Sequence, residues 1–127
     1  MIVRSFFVLF SLFIVLGSAD AHGPERGPNG GQVQDLGGNH VELVMQGQEI
    51  VVYLFDAQNA PIAAEGVVAT ATVLAGGAQP KTVPLQPAGA NVLRGRGELV
   101  EQPGLKVVVS LTLPGQRPQI GRYALIE

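Results

Sequence analysis

From Asn39 onward the sequence is a succession of short runs rich in Val, Leu, Ile and Thr, interrupted by Gly, Pro and Asn, and none of it repeats apolar residues at helical spacing. With turn residues about every 8 to 12 positions, such a chain has little choice but to form short antiparallel strands. "NHVELVM" alternates, which puts Val41, Leu43 and Met45 on one face and His40, Glu42 and Val44 on the other. "QEIVVYLFD" follows across Gln46-Gly47, a pair suited to a tight two-residue hairpin turn. That turn would set Val44 opposite Glu49, Glu42 opposite Val51 and His40 opposite Tyr53. Further runs are "VVATATVLA", "KTVPLQP", "NVLRGRGEL", "LKVVVSLTL" and "QIGRYALIE". Pro84 interrupts the second of these and marks an edge position. About seven or eight such strands argue for a sandwich or small barrel of antiparallel sheets, and the fold expected is all-β, an antiparallel β-sandwich with Ig-like or Greek-key connections. Its core should hold Val41, Leu43, Ile50, Val52, Leu54, Val107, Val109 and Leu111.

The start of the chain is of another kind. "MIVRSFFVLFSLFIVLGSADA" has one basic residue, an apolar run from Phe6 to Leu16 and then small residues, the layout of a secretory signal peptide. Its apolar run is too short for the roughly 20 residues of a bilayer-spanning helix, so no stable membrane insertion is expected. Small residues permit cleavage after Ala19 or after Ala21, the latter giving the better A-x-A match. Cleavage after Ala21 makes His22 the first residue of a periplasmic protein. The organisation expected is a signal peptide over 1–21, a flexible Gly/Pro-rich arm over 22–31 ("HGPERGPNGG") and one β-domain over 32–127.

Composition excludes several functions. There is no cysteine, hence no disulfide, thiol catalysis or thiolate ligand. Losing Arg4 and Asp20 from 8 Lys/Arg and 10 Asp/Glu leaves seven against nine. This near-neutral balance, with no basic run, predicts neither a nucleic-acid nor an anionic-membrane partner. Ser110, the one serine after the signal, sits mid-run without a nucleophile turn. The carboxylates Asp35, Glu42, Glu49, Asp56 and Glu65 are dispersed, and the glycine clusters lack the strand-to-helix setting of a phosphate loop. No enzyme is expected.

The two histidines, His22 and His40, remain. Cleavage after Ala21 gives His22 an α-amine beside its imidazole, a chelate to which His40 adds a third nitrogen. Cleavage after Ala19 gives Asp20-Ala21-His22, whose amine, backbone amides and imidazole form a square-planar nitrogen site. Either terminus suits Cu(II), with Zn or Ni as weaker alternatives. Glu42, on the face of His40, is expected as an oxygen ligand or as the acceptor that orients an imidazole. Met45 falls among the core residues and reads as packing. Against the metal reading stands a plain one, in which two histidines in a chain of this size are incidental.

Gly27 to Leu36 ("GPNGGQVQDL"), His40 to Val44 ("HVELV"), Tyr53 to Asp56 ("YLFD") and Pro61-Ile62 together resemble a family of small exported bacterial proteins. They are also similar to a short β-domain near the N-termini of periplasmic adaptor subunits of heavy-metal efflux pumps, of the cobalt–zinc–cadmium and copper type. In that group His-Gly-Pro is often followed directly by a Gly-Gly turn, whereas here "ERGPN" separates His22-Gly23-Pro24 from Gly30-Gly31. The resemblance implies a divalent-metal binder, for copper by ligand type, in metal handling or delivery to an efflux system, with an efflux adaptor as partner. The alternative is a non-metal envelope module that binds another protein. A copper oxidative enzyme also begins with a mature N-terminal histidine, but its flat aromatic substrate surface has little to draw on in Tyr53, Phe55 and Tyr123.

Overall fold

The computed structural model describes residues 25–77, 79–97 and 104–125. The expected signal peptide and His22 lie outside these residues. The described chain is all-β, with strands β1 (Gln32–Leu36), β2 (Asn39–Gln46), β3 (Glu49–Phe55), β4 (Val68–Leu74), β5 (Lys81–Pro87), β6 (Val92–Arg96), β7 (Leu105–Thr112) and β8 (Gln119–Leu125). No helix among the described residues is long and apolar enough to cross a membrane.

All ladders are antiparallel and join the strands in the order β1-β2-β3-β6-β5-β4-β7-β8, a single eight-stranded sheet. The end strands meet. Leu36 of β1 packs so closely on Gly121 of β8 that a Cβ there would lie 2.7 Å from a Leu36 methyl. The buried Tyr123 of β8 donates its hydroxyl to the Val41 carbonyl of β2 at 2.9 Å. The expected all-β antiparallel fold is present, and its nearly closed single sheet is closer to the small barrel than to the sandwich. Strand length and turn spacing are alike in the two architectures. The difference lies in whether the end strands touch.

Pro84 lies within β5. β5 is an interior strand, so the expected edge position is corrected to a local one. Pro84 pairs with Thr70 of β4, while the ladder to β6 takes only Gln86 and Pro87. The proline therefore sits where β5 passes from one neighbour to the other, and its missing N–H falls beyond the β5–β6 ladder.

All eight residues expected in the core are buried, joined by Leu36, Ala69, Ala71, Val83, Leu85, Leu93, Leu105 and Tyr123 among others. Met45 packs against this cluster from a partly buried position. In the β2–β3 hairpin the turn residues are Gly47-Gln48, not Gln46-Gly47. Gly47, at φ 59°, takes the first central position of a II′-type turn, where positive φ is required. Pairing consequently slides by two residues, to Val44↔Val51, Glu42↔Tyr53 and His40↔Phe55. A slide of two leaves every side chain on its expected face.

Candidate functional site

The outer surface of β1, β2 and β3 carries His40 and Glu42, and the segment before β1 folds over it. Arg26 bridges Gln32, Val33 N–H donates to the Glu25 carbonyl at 2.8 Å, and Gly27 N–H donates to the Gly31 carbonyl at 2.9 Å. Residues 25–31 thus form a hydrogen-bonded reversal that sends the chain back antiparallel to β1. The stretch falls within the arm expected over 22–31, and its described residues are hydrogen-bonded to one another and to β1.

Glu42 is what the reversal closes upon. The residue is fully buried, and its carboxylate accepts hydrogen bonds from Gly31 N–H (2.7 Å to Oε2), Asn29 N–H (3.0 Å to Oε2, 3.3 Å to Oε1) and the Asn29 side-chain amide (2.9 Å to Oε1). A carboxylate removed from water needs such donors, since desolvation is otherwise very costly. The glycines make room: a Cβ on Gly27 would collide with the Glu42 carboxyl, and one on Gly31 with the Leu43 carbonyl. Both carboxylate oxygens accept from the arm, and the group hydrogen-bonded to the His40 ring is a different one.

That group is Asn59. His40, partly buried on β2, lies 2.7 Å through Nδ1 from Asn59 Oδ1. Asn59 stands in the loop after β3, which Asp56 builds: Asp56 Oδ1 accepts from Gln58 N–H and Ala60 N–H, both at 2.9 Å, and the Asp56 carbonyl accepts from Asn59 N–H at 3.0 Å. Asn59 has φ 62°, the left-handed region in which asparagine is among the few tolerated non-glycine residues.

Between loop and reversal runs a cleft of about 430 Å³ bordered by Glu25, Arg26, Val33, His40, Phe55 and Asn59. Among the described residues no three of His, Cys, Asp and Glu converge as a ligand set. Two other acids have local partners. Asp35 accepts from Gly38 N–H at 3.0 Å, and Glu49 lies 3.8 and 4.0 Å from Arg94 and Arg96. Of the expected ligands, His40 is therefore at the cleft, Glu42 is under the arm, and His22 lies outside the described residues.

No protein-family model, no curated protein and no solved structure matches this chain.

Asn29 and Asn59 were not singled out from the sequence. "DAQNA" at 56–60 does carry the signature of an Asx-type turn. The Asn29–Glu42 contact has no local signature, because the two residues stand 13 positions apart.

Proposed function

We propose that this chain is an exported, periplasmic binding protein for a divalent metal, copper by ligand type, serving metal handling or delivery to an efflux adaptor, and without turnover. The ligands are the α-amine and imidazole of His22, freed by cleavage after Ala21, and the imidazole of His40. Glu42 anchors the arm that carries His22.

The observation that carries this reading is that the arm and His40 border one cleft. Glu25 and Arg26, held antiparallel to β1 by the Arg26↔Gln32 bridge and the Val33–Glu25 hydrogen bond, line the same cleft as His40. His22 precedes Glu25 by three positions, a reach of about 10 Å at some 3.3–3.6 Å per residue. The inserted "ERGPN" is consistent with this, since it supplies much of the reversal that turns the chain back. His40 contributes a ring already hydrogen-bonded at Nδ1 on the border of a cleft, the usual arrangement of a ligating histidine and its outer partner. A pure nitrogen set favours Cu(II) over Zn and Ni.

Calorimetric titration of the mature protein with Cu(II), beside His22→Ala and His40→Ala, tests the reading. His22→Ala should lose most of the affinity and His40→Ala should weaken it, since amine and imidazole of His22 remain. If all three take up copper alike, or none does, the histidines are incidental and the protein is an envelope interaction module.

A further inference from the structure

We propose that Asn59 is a positioning residue that holds neutral His40 in the Nδ1–H tautomer and thereby makes Nε2 the nitrogen with a free lone pair at the cleft. The consequence for metal rests on the reading of His40 as a ligand, but the tautomer itself does not.

Asn59 Oδ1 is an acceptor without a proton, and at 2.7 Å from Nδ1 it requires the ring to donate from that atom. A neutral imidazole has one proton, so Nε2 is left bare. Of the two residues paired with His40 across the strands, Asp35 on β1 turns Oδ1 to Gly38 N–H at 3.0 Å, and Phe55 on β3 is apolar. The left-handed backbone of Asn59 and the Asp56-braced loop fix where the amide points. A long flexible side chain would specify this less well, and a β-branched residue would not tolerate the φ of 62°.

The loop also determines the variants. Asn59→Gly accepts the positive φ and removes only the acceptor, whereas Asn59→Asp keeps an acceptor of the same length. The probe is the pair of ring-nitrogen shifts of His40 in ¹⁵N-labelled protein without metal, at about pH 8.5, some two units above the ordinary imidazole value. Wild type and Asn59→Asp should show a protonated Nδ1 and a bare Nε2, and Asn59→Gly should move toward the Nε2–H form. An Nε2–H ring in wild type, which would mean that the Asn59 amide presents its NH₂ group, overturns the proposal, and so does a tautomer that Asn59→Gly leaves unchanged. With Cu(II) added, Asn59→Gly should bind about 10- to 100-fold more weakly, the usual effect of losing an outer partner, and Asn59→Asp should recover affinity. Equal affinity in wild type and Asn59→Gly overturns the link between tautomer and ligation. If the tautomers behave as expected and no form binds copper, the metal reading fails while the positioning role stands.

Discussion

Glu42 carries a carboxylate to a place with no solvent exposure and gathers its donors from a segment that precedes it by eleven to thirteen residues. Glu42→Gln keeps the shape but has a single acceptor oxygen. Whichever way the amide turns, its NH₂ meets either Gly31 N–H or the Asn29 donors, and at least one buried donor is left unmet. The expected cost is about 1–3 kcal/mol, read from urea unfolding. Amide exchange at Asn29 and Gly31 should accelerate in the same variant. Equal stability together with unchanged exchange at those two amides would contradict the anchoring role. The sequence showed Glu42 on the face of His40 and, by residue type, offered it as a ligand. What it did not show was the occupancy of the carboxylate, because the donors are backbone amides, whose direction depends on the fold and not on residue type.

One phenol bonds across the closure of the sheet. Tyr123 spans from β8 to the Val41 carbonyl of β2, and burial pushes its pKa above the ordinary 10.0. Because the folded value is raised, the stability tied to this group is complete below pH 10.0 and is lost as pH rises beyond it, where the unfolded chain ionises first. Tyr123→Phe should cost about 0.5–1.5 kcal/mol near neutral pH through the lost hydrogen bond. The gap should then close above the ordinary phenol value, since wild type alone loses about 1.36 kcal/mol per pH unit there. Urea unfolding of both forms at about pH 8 and pH 11 measures this, and a gap of constant size would refute it. At this scale the sequence was informative where alternation was strong. β2, β3, β4 and β7 are marked by Val, Ile and Thr. β1 was missed, because "QVQDL" faces glutamines toward the interior side and has little apolar content to report. The β2–β3 register was misjudged because Gly47 fits either central position of a two-residue turn.

For the whole molecule, a barrel-like sheet displays a cleft bordered by Glu25, Arg26 and His40, and in the sequence the A-x-A match that ends at Ala21 lies four positions before Glu25. Export should therefore release residues 1–21, leaving His22 first, and the intact mass of the periplasmic form gives the answer: a chain retaining Met1 would leave no free amine at His22. The shared site of His22 and His40 is tested most directly by electron paramagnetic resonance of the Cu(II)-loaded mature protein, with the coupled nitrogens counted in wild type and in His40→Ala. Three nitrogens in wild type and two in the variant are predicted, corresponding to the His22 amine, the His22 imidazole and the His40 imidazole. The same nitrogen count in both proteins, or the spectrum of copper bound only by water, would contradict the account.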